Sequence, residues 1–191
     1  MMTVEQLAKA TGATPANAAR FHKALVSSME RFEINTPLRK AAFLATVSVE
    51  SARLTTTEEG LYYRDANRLA RIYPRAFKTP AEASKYVANP NGLGQLLYQG
   101  YWGRGLIQLT WKENYQKAAD ALGHNYVKTP ELVASVAHAA LTAAWFWQTN
   151  GCNDMADKED MRAVTRKVNG SALMHLDERI AQFKVAKGVF A

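Results

Sequence analysis

The sequence predicts a mainly α-helical protein, and three observations support this fold class. Four of the six prolines directly follow threonine, a pair typical of helix starts because Thr caps the helix and Pro fits its first position. Apolar residues recur at three- and four-residue steps along much of the chain. Alternating strand patterns are scarce, and the sequence contains neither an internal repeat nor a low-complexity tract.

Nine helices are predicted from these signals. Thr14, Thr36, Thr79 and Thr129 mark the starts of four helices, and Asn150-Gly151 marks the end of the longest one. The periodic apolar pattern predicts the other five. In chain order, the predicted helices are 3–10, 15–31, 37–52, 65–72, 80–88, 111–121, 130–149, 158–168 and 172–187.

Residues 60–100 are predicted to form a small lobe inserted into a single domain that spans residues 1–191. Pro74, Asn89-Pro90 and the run Asn91-Gly92-Leu93-Gly94 break this stretch into short pieces. A chain of 191 residues that is 48% hydrophobic can fill one core, and two full domains are not expected. A ligand cleft is expected between the lobe and the larger helical part.

Charge and composition narrow the possible partners. A net charge of +7 draws the protein toward anionic polymers. Nucleic acid is not expected, because Lys and Arg are scattered and form no basic arm or recognition helix. Neither a secretory signal nor a membrane span is visible, so no stable membrane insertion is expected. The single cysteine, Cys152, cannot form an intrachain disulfide, which fits folding in a reducing cytoplasm.

No metal or cofactor is expected. The four histidines, His22, His124, His138 and His175, show no ligand spacing, which argues against a zinc site. No glycine-rich phosphate loop follows a predicted strand. A Ser-His-Asp hydrolase would need an α/β sheet, which this sequence does not offer.

The most informative segment runs from Tyr101 to Thr110 and reads Tyr-Trp-Gly-Arg-Gly-Leu-Ile-Gln-Leu-Thr, followed by Trp111 and Asn114-Tyr115. It combines aromatic rings, a guanidinium, two glycines and uncharged hydrogen-bonding groups. Pyranose rings offer apolar faces for aromatic side chains and hydroxyls for amides, and glycine lets the backbone approach a ligand closely. The segment therefore predicts a sugar-binding site.

This segment resembles the signature of glycoside hydrolase family 19, in which chitinases and phage endolysins share Tyr-x-Gly-Arg-Gly-x-x-Gln-Leu/Ile-Thr/Ser-x-x-x-Asn-Tyr. Every fixed position is present here, and the likeness covers roughly residues 36–185, including Val164–Gly170. One departure is Val49-Glu50-Ser51-Ala52-Arg53, where many relatives have His-Glu-Ser-Gly-Gly, so Val49 removes one polar neighbour of Glu50. The resemblance implies a lysozyme-like α-helical fold and cleavage of β-1,4 glycosidic bonds.

Glu50 is the candidate general acid of a carboxylate pair, which glycosidic cleavage requires. It shares a predicted helix face with Phe43 and Val47 at four- and three-residue steps. It also lies in the last helical turn, where the helix dipole disfavours an anion. Both features favour the protonated form that a general acid needs.

Glu59 is the candidate general base. It follows Thr55–Glu58 and precedes Gly60, and hydroxyl-rich loop surroundings keep a carboxylate hydrated and ionised. The residues alone do not separate Glu59 from Glu58. The resemblance favours Glu59, because phage members of the family place the second Glu nine positions after the first, as Glu59 stands to Glu50.

The resemblance assigns further roles along the signature. Thr110 matches the Ser or Thr that holds the attacking water together with the base. Gln108 and Asn114 match sugar-binding amides, and Asn169 matches a substrate-contacting Asn late in the chain. Ordinary turn and helix-cap polarity is the alternative for the three amides.

Arg104 has two interpretations, and the aromatic residues divide into candidates for stacking and candidates for the core. Arg104 either contacts the sugar or pairs a buried carboxylate as a structural clamp. Tyr101 and Trp102 are candidate stacking platforms. In contrast, the run Trp145–Trp147 lies in an alanine-rich predicted helix and is expected in the core.

We therefore expect an enzyme that hydrolyses β-1,4 bonds of an N-acetylated aminosugar polymer and inverts the anomeric configuration, with Glu50 as acid and Glu59 with Thr110 activating water. The resemblance implies a phage or prophage endolysin acting on peptidoglycan, a monomer made in the host cytoplasm that acts on the cell wall after release. A chitinase of the same family and a lytic transglycosylase, which uses a single catalytic Glu, are the enzyme alternatives. The remaining alternative, a wall-binding module without catalysis, does not need the two carboxylates.

Overall fold

The computed structural model describes residues 2–191, and these residues are mainly helical and contain no β-strand. The α-helices within this range, α1 to α11, are Val4–Thr11, Pro15–Arg31, Pro37–Glu50, Ala66–Ile72, Pro80–Ala83, Pro90–Tyr98, Lys112–Leu122, Val136–Thr149, Cys152–Asp157, Met161–Asn169 and Leu176–Phe190. Short 3-10 helices cover Ser84–Tyr86, Pro130–Ala134 and Gly170–Ala172. The predicted fold class is confirmed. None of the helices in the described part of the chain is long and apolar enough to cross a membrane.

The chain divides into two compact units. The larger unit contains the chain up to Thr57, Arg104–Gln108 and Glu131–Ala191, and the smaller unit contains Glu58–Gly103 and Leu109–Pro130. The smaller unit thus includes the stretch that the sequence set apart, together with α7. The signature segment contributes residues to both units. The prediction of a single domain over residues 1–191 stays a prediction.

Helix α3 is the central helix of the larger unit. Every residue from Ala41 to Ser48 is buried, and α3 packs on α1, α9 and, most extensively, α11. Phe43 meets Trp147 of α8 edge to face, with ring centroids 5.4 Å apart. This packing fixes the C-terminal end of α3, where Glu50 is the last residue.

Two side chains of the larger unit are packing residues. Trp147 and Cys152 are fully buried, whereas Trp145 and Phe146 are half-buried, so the expectation of a core position holds fully only for Trp147. Burial raises the pKa of the Cys152 thiol to about 12. Cys152 therefore behaves as a small apolar side chain.

The core of the smaller unit is an apolar cluster flanked by half-buried aromatic rings. Its buried members are Leu61, Leu69, Phe77, Ala83 and Leu93. The aromatic side chains packed against them include Tyr63, Tyr73, Tyr86, Tyr98 and Trp102. This packing anchors the rings and holds their polar groups in fixed places.

Threonine caps begin three of the four helices predicted from Thr-Pro pairs. The hydroxyl oxygens of Thr14, Thr36 and Thr79 each accept a hydrogen bond from the backbone N–H three residues later. The predicted helix 130–149 is wrong in its first part. A 3-10 helix forms there, Ser135 adopts an extended backbone, and α8 begins after it.

Two helices are missing from the prediction. Helix α6 passes through Gly92 and Gly94, although these glycines and Asn89-Pro90 predicted chain breaks. Asn89 is instead the N-cap, because its Oδ1 accepts the Gly92 N–H at 3.0 Å, and Pro90 occupies the first position. Helix α9 begins directly after Gly151, whose φ is 69°.

Three other predicted helices have wrong boundaries. The predicted helix 158–168 begins at Met161, because Asp160 is its N-cap and accepts the Ala163 N–H at 2.8 Å. The predicted helix 172–187 begins only after His175, which has a left-handed backbone. The predicted helix 80–88 continues as a 3-10 turn after its first four residues.

The predicted helix 37–52 ends two residues early in a left-handed turn. Ala52, Arg53 and Leu54 have φ values of 48°, 60° and 60°. This conformation costs a residue with a Cβ roughly 1–2 kcal/mol. The Ser51 hydroxyl holds the turn, because it donates to the α3 backbone at 2.6 Å and accepts the Leu54 N–H at 2.9 Å.

We expect Ala52→Gly to raise the free energy of unfolding by about 0.5–1 kcal/mol, because glycine adopts a positive φ without strain. Ala52 is exposed, so few contacts are lost. Chemical denaturation measures the change. Ala181→Gly is the matched control, since exposed Ala181 lies inside α11 and its replacement costs about 1 kcal/mol. A destabilised Ala52→Gly variant would show that the turn is unstrained.

Candidate functional site

Glu50, the last residue of α3, contacts a buried arginine of α11. The Arg179 side chain is completely buried, and the Glu50 side chain is 12% exposed. Nη2 of Arg179 donates to Oε1 of Glu50 and to Oδ1 of Asn169, the last residue of α10. Arg179 therefore joins two residues, Glu50 and Asn169, that the sequence indicated separately.

The contact with Arg179 differs from the surroundings that the sequence predicted for Glu50. The sequence pattern predicted apolar neighbours, which α3 does supply, but it gave no sign of a cation at the carboxylate. A buried guanidinium and a buried carboxylate each lose hydration, and their mutual attraction offsets part of that loss. The other Glu50 oxygen, Oε2, makes no hydrogen bond within residues 2–191.

Gly105 and Gln108 shape the part of the signature that belongs to the larger unit. Gly105 has a φ of 82°, and a Cβ there would lie 3.1 Å from Thr142 Oγ1 and 3.3 Å from Val133 Cγ1. Gln108 also has a positive φ, 57°, and its Nε2 donates to the Gly105 carbonyl at 3.2 Å. This contact fits the alternative interpretation of Gln108, in which its amide stabilises a turn. Arg104 is only 3% exposed, which favours the structural clamp over direct sugar contact.

Glu59, in the smaller unit, is fixed by three hydrogen bonds. The Tyr98 hydroxyl donates to Oε1 at 2.8 Å, and the Gly103 N–H donates to Oε2 at 3.3 Å. The Glu59 N–H donates to the Gly103 carbonyl at 2.8 Å. Donors on both side-chain oxygens suit a carboxylate, which only accepts hydrogen bonds, better than a carboxylic acid.

Tyr98 belongs to a group of three phenols. The hydroxyls of Tyr63 and Tyr73 lie 3.2 Å apart, and their rings meet edge to face. Burial, followed by the hydrogen bond to Glu59, raises the pKa of Tyr98 well above its usual value. Burial, followed by the hydrogen bond with Tyr63, also raises the pKa of Tyr73. Tyr98 therefore stays protonated and able to donate to Glu59.

Glu58 has a different environment from Glu59. It is exposed, and its Oε1 accepts a hydrogen bond from Trp102 Nε1 at 2.8 Å. The Trp102 ring lies against Gly94, where a Cβ would come within 2.5 Å of the ring. Trp102 is thus a fixed, half-buried aromatic surface beside Glu58.

Two further aromatic residues of the signature differ in exposure. The Tyr101 hydroxyl donates to the Val127 carbonyl at 3.1 Å, which leaves the ring as the part that can meet a ligand. Trp111 is 55% exposed, and its ring centroid lies 5.2 Å from that of Tyr98. Trp111 is not among the site residues predicted from the sequence. Its exposure becomes visible only in the structure, and it adds a candidate stacking platform.

Thr110 and Asn114 lie where the signature leads into α7. Nδ2 of Asn114 donates to the Thr110 carbonyl at 2.9 Å, and the Asn114 N–H donates to the Trp111 carbonyl at 3.0 Å. Asn114 therefore stabilises the turn before α7, which fits the alternative to sugar binding. Half-buried Thr110 is held in place by this turn.

The predicted site residues thus divide between the two units. The larger unit contains Glu50, Arg104, Gln108 and Asn169, and the smaller unit contains Glu59, Tyr101, Trp102, Thr110 and Asn114. The catalytic and binding roles of these residues stay predictions. No group of three or more His, Cys, Asp or Glu side chains in the described residues is arranged to hold a metal ion.

Residues 18–186 match the family described as chitinase class I, glycoside hydrolase family 19. A Haemophilus influenzae protein named as a glycosyl hydrolase family 19 domain-containing protein is 27% identical over 177 residues, 85% of this chain and 86% of that protein. Acidic endochitinase SP2 of Beta vulgaris is 33% identical over 132 residues. Those residues are 69% of this chain but only 40% of the plant protein.

Solved structures show the same fold. A bacterial family 19 chitinase superposes with a TM-score of 0.68 and 21% identity, covering 99% of this chain and 94% of that one. Chitinase C from Streptomyces griseus gives a TM-score of 0.66 at 24% identity, covering 98% and 76%. These likenesses confirm the lysozyme-like helical fold that the resemblance implied. The family match over residues 18–186 establishes that the chain belongs to glycoside hydrolase family 19 and is a glycoside hydrolase.

Proposed function

We propose that this family 19 hydrolase is an endolysin that cleaves β-1,4 glycosidic bonds of peptidoglycan with inversion. The contrast between the two glutamates carries the proposal. Glu50 binds Arg179 through Oε1 and keeps Oε2 open to a leaving oxygen, whereas both oxygens of Glu59 accept hydrogen bonds. One group is thus suited to act as acid and the other as base.

In the proposed reaction, Glu50 donates its proton to the leaving glycosidic oxygen. Glu59 takes a proton from a water molecule that Thr110 helps to hold, and this water attacks the anomeric carbon from the opposite face. The glycosidic carbon–oxygen bond breaks, a bond to the water oxygen forms, and the β configuration becomes α.

We propose peptidoglycan as the substrate because the protein is positively charged and the bacterial envelope is anionic. A net charge of +7 attracts the protein to an anionic bacterial envelope. The Haemophilus influenzae relative, matched over 86% of its length, supports a role in a bacterial cell. We further propose that the protein is a monomer, made in the host cytoplasm of a phage or prophage, that reaches the wall after release.

Chitin is the second candidate substrate. Relatives from Beta vulgaris and Streptomyces griseus are named as chitinases. Chitin is also a β-1,4-linked polymer of an N-acetylated aminosugar, so the same two glutamates would serve. An enzyme of this kind would therefore distinguish the two substrates by how it binds them and not by the reaction that it catalyses.

A digestion of purified peptidoglycan and of chitin, with the released ends identified by mass spectrometry, tests the proposal. New reducing ends should appear faster from peptidoglycan than from chitin. Release from chitin alone would assign a chitinase, and anhydro-muramyl ends would assign a lytic transglycosylase. Binding to either polymer without any release would leave a wall-binding module.

We expect Tyr98→Phe to lower kcat about tenfold with little change in KM, because Glu59 loses a charge-assisted hydrogen bond. Initial rates over a range of substrate concentrations measure kcat and KM. Tyr86→Phe, in the same apolar core, is the control. Equal effects in the two variants would reduce the role of Tyr98 to packing.

A further inference from the structure

A groove in the smaller unit has no part in the proposed chemistry. Its volume is about 360 Å³. Its lining consists of Gly60, Tyr62, Tyr63, Arg64, Asp65 and Arg68. The groove therefore combines two aromatic rings with two guanidinium groups.

The groove continues toward the candidate base. Tyr62 also lines a second cavity of about 310 Å³, together with Glu58, Glu59 and Trp102. Tyr62 is 56% exposed, so its ring can be contacted by a ligand. A polymer chain that passes Glu59 within this unit can thus extend over Tyr62 to the two arginines.

The charge of the groove is positive. The Arg64 guanidinium lies 5.7 Å from the centre of the Tyr62 ring, and that of Arg68 lies 5.9 Å from the centre of Tyr63. Both arginines are exposed, and neither forms an ion pair within residues 2–191. Their guanidinium groups are therefore positioned by aromatic contacts and available to an anion.

Asp65, the one acid in the lining, is engaged in the cap of α4. Its Oδ1 accepts the backbone N–H of Asn67 at 2.9 Å and the Asn67 side-chain amide at 3.2 Å. The backbone hydrogen bond from Asn67 is the main cause that lowers the pKa of Asp65. The carboxylate thus serves the helix start and does not neutralise both arginines.

We propose that this groove is a subsite for a sugar that carries a carboxylate, with Tyr62 stacking on the pyranose and Arg64 and Arg68 binding the carboxylate. The inference rests on the proposed hydrolysis of peptidoglycan. In peptidoglycan every second sugar bears a lactyl group extended by a peptide with free carboxylates, and chitin bears none. The groove therefore directs the enzyme toward peptidoglycan by recognising a group that chitin lacks.

The test compares two forms of one soluble peptidoglycan oligosaccharide, the native form and a form whose carboxylates have been amidated. The wild-type protein should show a kcat/KM on the order of fivefold higher for the native form, as expected for exposed charge-assisted contacts. In the double variant Arg64→Gln, Arg68→Gln this ratio should fall close to one. Arg75→Gln, an exposed cation outside the lining, is the matched control and should keep the wild-type ratio.

Each other result overturns the inference. A wild-type ratio near one, with both forms cleaved, would remove the subsite and leave the hydrolase proposal standing. An equal fall in Arg75→Gln would assign the preference to overall charge. Loss of binding to intact walls with an unchanged ratio would assign the arginines to a phosphate-bearing wall polymer. Failure of the wild-type protein to cleave either form would overturn the proposed function as well.

Discussion

Glu50→Gln should lower the turnover of peptidoglycan by on the order of a hundredfold or more, because glutamine has no proton to give to the leaving oxygen. The glutamine oxygen can still accept the hydrogen bond from Arg179. The charge on that oxygen is lost, however, and we expect the free energy of unfolding to fall by about 1–3 kcal/mol. Reducing-end release at 25 °C and chemical denaturation measure the two effects separately.

Glu178→Gln is the matched control for Glu50. Glu178 precedes Arg179 in α11, and its side chain is 59% exposed, so this variant should keep wild-type turnover. A correctly folded Glu50→Gln protein, verified by mass, that still cleaves at the wild-type rate would remove Glu50 from the mechanism. Such a result would turn the pair with Arg179 into a purely structural contact.

Glu59→Gln should also lower turnover by on the order of a hundredfold, because an amide cannot take a proton from the attacking water. The Tyr98 hydroxyl can still donate to the amide oxygen, whereas the amide nitrogen cannot accept the Gly103 N–H. The comparison with Glu58→Gln decides between the neighbours. Exposed Glu58, which accepts from Trp102, should lose no more than about threefold when neutralised.

The opposite ranking of the two variants would place the base at Glu58. In that case the hydrogen bonds from Tyr98 and Gly103 would serve only the folding of the smaller unit. Measuring both variants at several pH values guards against a shift of the pH optimum that mimics a loss of activity.

Helix starts could be predicted from the sequence where the determining contacts are local. The Thr14, Thr36 and Thr79 caps act within three residues, so a short sequence pattern contains all the necessary information. The same physics explains the missed helix α6. Asn89-Pro90 is also a cap followed by a first-position proline, and the glycines after it obscured that signal.

The surroundings of the two glutamates could not be predicted in the same way. Arg179 is 129 residues from Glu50 in sequence, and Tyr98 is 39 residues from Glu59. The packing of α11 on α3 brings the first pair together, and the core of the smaller unit places the second. The sequence therefore indicated which carboxylates to consider, whereas tertiary packing determines what holds each of them.

The configuration of the first product tests the central claim most directly. Proton NMR during the first turnovers of a soluble β-1,4-linked aminosugar oligomer reports the anomeric form before mutarotation mixes the two. Direct attack by a water that Glu59 activates predicts an α product. An initial β product, or an anhydro-muramyl end from peptidoglycan, would contradict the two-carboxylate inverting mechanism.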